Sequence, residues 1–109
     1  MSGIVRVAHS WVDSDTSDNA LSTATKAAPA GGLSHFITGV AGSYEAAAIG
    51  TLILKDGTTE VARWEAHNSF SEEFASPIKL SPATAANLEL DASGSAGVDG
   101  TAVLKGFTK

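Results

Sequence analysis

The sequence predicts an all-β fold, and three observations along the chain carry this prediction. Apolar and polar residues alternate with a period of two, as in "NLELDAS", where Leu88 and Leu90 share one face. Short breaks rich in Gly, Ala, Pro, Ser or Asx residues separate such segments. Seven to eight short strands spaced in this way are typical of a β-sandwich or jelly roll. We therefore expect one jelly-roll-like domain of antiparallel strands over residues 1–109.

The composition bounds the size and the chemistry of this domain. The chain has 109 residues, which is enough for a single domain with a real but small core. Hydrophobic residues make up 43%, but many are alanine, and only 6% of the chain is aromatic. We therefore expect thin packed layers. Because the chain has no cysteine, disulfides, zinc–thiolate sites and thiol nucleophiles are excluded.

The charge pattern argues against nucleic acid and membrane partners. The net charge is −5, from 12 acidic and 7 basic residues, and no two basic residues are adjacent. A phosphate backbone or an anionic membrane selects clustered cations, which are missing here. No apolar run is long enough to span a bilayer. The start, "MSGIVRVAHSW", lacks the basic and apolar regions of a secretory signal, so we expect synthesis in a cytosol.

The first predicted strand lies in "GIVRVAHSWV", where four residues recur at every second position: Val5, Val7, His9 and Trp11. The polar run that follows, "DSDTSDN", is expected to be a solvated loop. Beyond the hairpin described next and the "NLELDAS" strand, further strands are predicted over four ranges: 20–28, 33–43, 71–80 and 100–107.

The strongest local signal is a hairpin in "GTLILKDGTTEVARWEAH", whose turn contains Asp56 and Gly57. Two registers remain open. A three-residue loop places Ala62, Trp64 and Ala66 on the face of Leu52. A two-residue loop brings Val61 to that face instead, because the register shifts by one.

Two further segments carry local exceptions. Pro77 lies inside "FASPIKL", so this strand is predicted to lie at an edge or to bend, because proline cannot donate a ladder hydrogen bond. The range 20–28 has some helical propensity from its alanines. Thr23 and Thr25 within it favour a strand.

The predicted strands also carry apolar residues on a second face. With the three-residue loop, Ile53 and Val61 lie opposite the face of Leu52. In the same way, Leu33 and Ile37 lie opposite Phe36 and Val40. Sheets that are apolar on both faces need a second cover, which in a small chain can be another subunit. The candidate subunit-interface residues are Leu33, Ile37, Ile53 and Val61.

The glycine-rich segment near the C-terminus raises the question of a phosphate site. Gly94, Gly97 and Gly100 stand three apart. A P-loop needs a lysine and a hydroxyl residue after its last glycine, at the start of a helix. Here the residues after Gly100 are Thr101 and Ala102, in a strand-like run. We therefore predict a β-hairpin loop, with no nucleotide or other cofactor.

Metal sites are also weakly supported. Asp13, Asp15 and Ser17 have the spacing of a calcium loop, but Asp18 and Ala24 stand where an EF-hand needs glycine and glutamate. The three histidines lie on different predicted strands and lack a tight ligand spacing such as H-x-H, so structural or surface roles are favoured over zinc; they are His9, His35 and His67.

No enzyme site is apparent. The adjacent carboxylates Glu72 and Glu73 point to opposite faces of a strand, so they cannot form a glycosidase pair by themselves. Trp11, Trp64 and Tyr44 could form a sugar-stacking platform, although core or interface use is favoured. We predict a non-enzyme with no catalytic, cofactor or metal residues.

The order of segments resembles that of a known class of virion proteins. The run "SHFITGVAGSY" leads through an Ala/Gly-rich link to the hairpin. "FASPIKL" and then "NLELDASGSAGVDGTAVLKGF" close the chain. This order, over roughly residues 33–107, resembles the small structural proteins of tailed phages, in particular capsid decoration (cement) proteins and related virion jelly rolls.

This resemblance implies a jelly-roll homotrimer on the capsid exterior that clamps neighbouring subunits of the major capsid protein and stabilises the shell. It implies no catalytic residues. The first thirty residues match less well, which leaves an N-terminal arm within 1–30 as an alternative. The alternative function is a carbohydrate-binding or fibre- or tail-associated β-sandwich module.

Overall fold

The computed structural model describes residues 9–109, which form eight antiparallel β-strands. Within this range no helix is long and apolar enough to cross a membrane. The strands are β1 (His9–Asp18), β2 (Ser22–Lys26), β3 (His35–Tyr44), β4 (Ile49–Asp56), β5 (Thr59–His67), β6 (Ser69–Lys79), β7 (Ala86–Leu90) and β8 (Asp99–Thr108).

The strands pair in the order β1-β8-β3-β6-β5-β4-β7-β2. Because β5 and β6 share only the pair His67–Ser69, this ladder divides into two four-stranded sheets that face each other. We call β1-β8-β3-β6 the front sheet and β5-β4-β7-β2 the back sheet. This is the strand order of a jelly roll with two Greek keys. The predicted all-β sandwich of eight antiparallel strands is therefore confirmed.

The core contains large side chains from both sheets, and glycines of the front sheet leave room for leucines of the back sheet. Four fully buried leucines come from β4 and β7 of the back sheet: Leu52, Leu54, Leu88 and Leu90. They meet glycine and alanine positions of the front sheet. A Cβ on Gly42, for example, would lie 3.1 Å from a Leu52 methyl group and 3.2 Å from one of Leu90. The two sheets are therefore in direct contact at this position.

Tyr44 fills the space between the sheets at one end of the sandwich. Its hydroxyl donates a 2.8 Å hydrogen bond to the carbonyl oxygen of Asp91. Burial raises the pKa of the Tyr44 phenol, and the nearby Asp91 carboxylate adds to the effect, so the ring keeps its proton and donates. Gly50 and Gly100 lie against the ring, and a Cβ on Gly50 would run into the Tyr44 hydroxyl.

The β4–β5 hairpin combines features of both predicted registers. Asp56 pairs with Thr59, so the loop has two residues and Gly57 occupies its first central position with φ of +64°. A left-handed glycine at this position suits a tight hairpin turn. A bulge then leaves Val61 unpaired, because Leu54 pairs with Ala62 while Lys55 pairs with Glu60. The bulge shifts the register by one residue. Ala62, Trp64 and Ala66 therefore lie on the face of Leu52, as expected for the three-residue loop.

A second bulge changes which residues of β3 face the core. Thr38 is an extra residue relative to β8, because Ile37 pairs with Gly106 and Gly39 pairs with Lys105. The bulge inverts the alternation, so Ile37 and Val40 are both buried and Phe36 lies on the outer face. The predicted opposition of Ile37 to Val40 is therefore wrong.

The N-terminal region contributes two strands of the sandwich. The run "DSDTSDN" is the second half of β1 and the residue after it, so the predicted solvated loop is wrong there. β1 pairs with β8 along its whole length, from His9–Thr108 to Asp18–Asp99. Residues 9–18 and 22–26 therefore lie in the sheets, and Val5 and Val7 lie outside the described residues.

Pro77 lies where the sequence predicts it, in an irregular edge strand. The ladder between β3 and β6 jumps from Ile37–Ile78 to Gly39–Glu73, so the Pro77 region of β6 bulges out of the pairing. β6 is also the last strand of the front sheet before the single His67–Ser69 link. Proline and exposed carboxylates protect such an edge from pairing with other chains.

Replacing Gly50 with alanine tests the close contact at Tyr44. Gly50→Ala should lower the free energy of unfolding by about 1–3 kcal/mol, because its Cβ overpacks against the Tyr44 hydroxyl. In a Tyr44→Phe background the same substitution should cost less, since the clashing oxygen is gone. Urea unfolding of the four proteins measures this coupling, and Gly31→Ala, with nothing within 4 Å, is the control. An equal cost in both backgrounds would contradict the packing argument.

Candidate functional surface

The glycine-rich segment 91–98 links β7 in the back sheet to β8 in the front sheet. The predicted hairpin is wrong in this respect, because these two strands belong to different sheets. The backbone N–H of Gly94 donates to Asn19 Oδ1 at 2.9 Å, and that of Gly97 donates to Asp18 Oδ1 at 2.8 Å. These amides are already engaged and a carboxylate lies beside them, which argues against a phosphate cradle.

The acidic run of β1 has a structural use. Asp15 Oδ2 accepts a 2.9 Å hydrogen bond from the backbone N–H of Thr23 on β2. This contact joins the two sheets on the side where β1 and β2 are their edge strands. Across residues 9–109, no group of three or more His, Cys, Asp or Glu side chains is placed to hold a metal ion.

His35 belongs to a buried hydrogen-bond chain. Trp11 Nε1 donates to Thr108 Oγ1 at 3.0 Å, and Thr108 Oγ1 lies 2.7 Å from His35 Nδ1. His35 Nε2 lies 2.7 Å from the carbonyl oxygen of Ala27, which can only accept. The proton is therefore on Nε2, and the Thr108 hydroxyl donates to Nδ1. Both ring nitrogens are used, so His35 holds strands together and leaves no lone pair for a metal.

The other two histidines lie far apart in the fold. His9 is opposite Thr108 at the start of β1, in the front sheet. His67 ends β5 in the back sheet, and its Nε2 lies 3.2 Å from Glu65. The three histidines do not converge, in agreement with the structural or surface roles favoured by the sequence.

The adjacent carboxylates also separate as predicted. Glu73 lies on the outer face of the front sheet, where it forms an ion pair with Lys105 over Gly39. Glu72 lies opposite the buried Val40 in the ladder, so its side chain projects from the other side of β6. The two carboxylates therefore point to opposite faces of β6.

The three aromatic residues considered for a sugar platform are not brought together. Tyr44 is 7% exposed and belongs to the core. Trp11 packs its edge against His35, with ring centroids 5.3 Å apart. Trp64, on β5, stacks on Phe70 and Phe74 at centroid distances of 5.8 and 6.0 Å. All three are used in packing, so no shared platform forms.

The outer side of the front sheet, here called the front face, is broad, and its carboxylates are concentrated at one end. Residues directly opposite each other in an antiparallel ladder project from the same side. The register gives four complete outward rows, which are Ser10–Phe107–Phe36–Lys79, Val12–Lys105–Gly39–Glu73, Ser14–Val103–Ala41–Ser71 and Thr16–Thr101–Ser43–Ser69. In these rows two lysines and one glutamate are charged, and the rest are apolar or carry a small hydroxyl. A further outward row, Asp18–Asp99, adds two carboxylates at one end.

One row of the front face carries a stacked aromatic pair. The rings of Phe36 and Phe107 are nearly parallel, with centroids 4.9 Å apart and an interplanar angle of 5°. Lys79 Nζ lies 5.8 Å from the centroid of the Phe36 ring, within the range of a cation–π contact. Val12 on the next row is 64% exposed. Regular alternation along β3 would place Phe36 on the core side, so the sequence alone does not reveal this cluster.

The outer side of the back sheet, here called the back face, is more charged. Lys55 pairs with Glu89 at 3.0 Å, and Arg63 pairs with Glu60 at 2.6 Å. Glu65 lies beside His67 and has no Lys or Arg partner among the described ion pairs. The outward residues of the back face are Thr23, Thr25, Ile49, Thr51, Ile53, Lys55, Glu60, Arg63, Glu65, His67, Asn87 and Glu89.

The four predicted interface residues occupy different environments. Ile37 is 0% exposed, so it belongs to this chain's own core and cannot contact a partner. Leu33 is half-buried in the loop before β3. Ile53 is half-buried on the back face, and Val61 is 45% exposed at the adjacent bulge. Only Ile53 and Val61 share one surface.

An acidic group lies at the end of the sandwich where β1, β3 and β8 meet. Asp99 pairs with Asp18 in the ladder, and its backbone N–H donates to Glu45 Oε1 at 3.0 Å. Partial desolvation raises the pKa of the Asp99 carboxyl, and the negative charges of Glu45 and Asp18 raise it further.

Comparison with known proteins gives only distant structural similarity. No protein-family model and no curated protein matches this chain. One similar solved structure is a carbohydrate-binding module, CBM36, in complex with calcium and xylotriose. It has 14% identity and a TM-score of 0.39 over 88% of this chain and 76% of that chain. Another is the CBM36-1 domain of a multidomain xylanase from the hindgut metagenome of Trinervitermes trinervoides. It has 13% identity and a TM-score of 0.39 over 87% and 73%. At these values neither similarity carries a functional assignment.

Because Asp99 lies beside Glu45 and Asp18, we expect the stability of the fold to depend on pH through the Asp99 carboxyl. A carboxyl whose folded pKa is raised above its ordinary value of 3.8 adds stability below that value. This stability is lost as pH rises through the folded pKa. Asp99→Asn should therefore raise the melting temperature at pH 7, and the difference from wild type should vanish near pH 3. Glu72→Gln, on the exposed edge strand, is the control. A lower melting temperature for Asp99→Asn at pH 7 would contradict the argument.

Metal removal should leave the thermal stability of the protein unchanged. Asp15 is already bonded to a backbone amide, and the described residues offer no ligand group. Excess EDTA should therefore not shift the thermal melting temperature, measured by calorimetry with and without added Ca²⁺. A drop of many degrees in EDTA that Ca²⁺ reverses would overturn this expectation.

Proposed function

We propose that this protein is a non-catalytic structural protein of a tailed phage, which binds the outer surface of the capsid as a homotrimer and stabilises the shell. The observation that carries the proposal is the part of the front face away from its acidic end, where Val12 is 64% exposed and the stacked rings of Phe36 and Phe107 are half-buried. Such a surface is suited to contact with other protein, because little charge has to be desolvated on binding.

The use of the polar residues supports a non-enzymatic role. The buried His35 is held in a hydrogen-bond chain, and Asp15 bonds to the backbone across the sheets. The amides of the glycine-rich loop are engaged as well. These groups stabilise the sandwich, which supports a role in binding.

A decoration protein of this kind acts by mass action. It binds the assembled shell and not the free capsid subunits, so it shifts the assembly equilibrium towards the shell. Three linked copies multiply weak contacts, because once one subunit has bound the others act at high effective concentration. Each contact with the major capsid protein can then be small. A net charge of −5 keeps the free protein soluble before it binds.

A carbohydrate-binding or fibre-associated module is the second candidate. Trp64 is half-buried on β5, in contact with Phe70 and Phe74. A partly accessible aromatic side chain can contribute to sugar binding by stacking. Its ring is already stacked on two phenyl rings, which makes this candidate weaker than protein contact.

Capsids that lack this protein should assemble but lose their integrity at a lower temperature than complete capsids. Adding the purified protein should restore the temperature and saturate at a fixed number of copies per capsid. Shell disruption is followed by the release of packaged DNA during heating, and bound copies are counted by quantitative mass spectrometry. Light scattering of the free protein should give about three times the chain mass.

Unchanged capsid stability together with no saturable binding would overturn the proposal. A glycan array carried out in parallel separates the second candidate. Specific sugar binding that is lost in Trp64→Ala, combined with no capsid binding, would favour the carbohydrate-binding module.

A further inference from the structure

We infer that residues 1–8, here called the arm, bind as an extra strand along the free edge of β5 in a second copy of this chain. This inference rests on the proposed homotrimer and names the contact that joins its subunits. It leaves the front face of each copy available to the capsid.

The free edge of β5 is open along most of its length. β5 pairs with β4 on one side, but on its other side it pairs with β6 only at His67–Ser69. An unpaired strand edge presents a row of backbone N–H and C=O groups that can pair with a further strand. The other edges are less accessible, because β6 bulges at Pro77 and because Asp15 of β1 bonds to the backbone N–H of Thr23 on β2.

An aromatic strip lies beside this free edge. Trp64 of β5 stacks on Phe70 and Phe74 of β6, at centroid distances of 5.8 and 6.0 Å. The three side chains pack against the core but are only half-buried. Apolar side chains placed along the strip would remove the remaining ring surface from water, which favours binding.

The arm has the sequence pattern of a strand. Its residues are MSGIVRVA, in which Val5 and Val7 are two positions apart with Arg6 between them. β8 ends at Thr108, directly opposite His9, so it offers no strand to the residues before His9. The arm therefore needs a partner strand from elsewhere.

The length of the arm excludes binding to β5 of the same copy. β1 and β5 lie on opposite sides of the sandwich. Three strand spacings of about 4.8 Å and a gap of about 10 Å between the sheets place them roughly 17 Å apart. Val5 is four residues from His9, so it reaches at most about 14 Å from it, and Val7 reaches about 7 Å. The valines can cover the aromatic strip only in a neighbouring copy.

The charges of the arm and of the β5 edge are complementary. With its valines turned towards the aromatic strip, alternation places Arg6 on the outer side of the sheet. The outward side chains of this part of β5 are Arg63, Glu65 and His67. The Glu65 side chain is 77% exposed and has no Lys or Arg partner among the described ion pairs.

This charge pattern also selects the register of the added strand. A slip of one residue would turn the valines to water, and a slip of two would place Arg6 beside Arg63 or His67. Arg6 beside Glu65 places Val5 and Val7 beside Trp64 and Ala66. Each copy gives one arm and receives one, which is an exchange that a ring of three copies can close.

An engineered disulfide tests the contact directly, because the chain has no cysteine of its own. In the full-length variant that carries both Arg6→Cys and Glu65→Cys, mild oxidation should join different chains into covalent dimers and trimers. Non-reducing electrophoresis with intact-mass measurement separates these species from a monomer with an internal disulfide. Arg6→Cys combined with Ser71→Cys, an exposed position on the front face, is the matched control and should stay monomeric on the gel.

A charge reversal tests the same pair without a covalent bond. Arg6→Glu alone and Glu65→Arg alone should each raise the dissociation constant by roughly 10-fold per contact, because like charges then face each other. The variant with both substitutions should return to the wild-type mass, and Arg6→Lys is the conservative control. Sedimentation velocity over a range of concentrations gives the mass, and thermal melting shows that each variant is folded.

Three outcomes overturn the inference. The first is the absence of an intermolecular bond between positions 6 and 65. The second is equal crosslinking of the control cysteine pair. The third is an internal disulfide in a monomer, because the arm then binds its own copy.

Capsid binding of the same proteins separates this inference from the proposed function. A trimer that crosslinks through the arm but does not bind capsids disproves the decoration role alone. A trimer that binds capsids but forms no bond between positions 6 and 65 disproves the arm contact alone.

Discussion

The close approach of the two sheets over glycine and alanine positions is the constraint on which the rest of this structure depends. The leucines of β4 and β7 fill the space that Gly42, Gly100 and Ala102 leave open on the front sheet. A core with few aromatic residues can exclude water only if the sheets lie this close. Tyr44 closes one end of this space, and its hydroxyl is satisfied by the carbonyl oxygen of Asp91. Larger residues at these positions would separate the sheets and expose the leucines.

Because the layers are thin, many polar side chains are recruited to hold the edges of the sandwich. His35 links Thr108 to Ala27, and Asp15 caps a backbone amide of β2. On the opposite side Trp64 stacks on the aromatic residues of β6, where backbone pairing is limited to a single residue pair. The groups that a sequence search would consider for catalysis or metal binding thus stabilise the fold.

The two outer faces differ in composition. The front face is apolar and rich in hydroxyl groups except at its acidic end, and the back face carries ion pairs. The β6 edge contains Pro77 and exposed carboxylates. These residues make uncontrolled backbone pairing with other chains at that edge less favourable.

The sequence by itself determined the all-β class, the approximate strand positions, the β4–β5 hairpin and the irregular edge at Pro77. These features depend on period-two alternation and on turn residues, which are local. Only the tertiary structure decided which face each residue occupies. The extra residue Thr38 in β3 places Phe36 on the outer face and Ile37 in the core. The bulge at Val61 shifts the register that follows the two-residue turn by one residue. The acidic run of β1 was likewise placed in a strand by its pairing with β8. Bulges and pairings of this kind are set by contacts between residues far apart in sequence, so local alternation cannot reveal them.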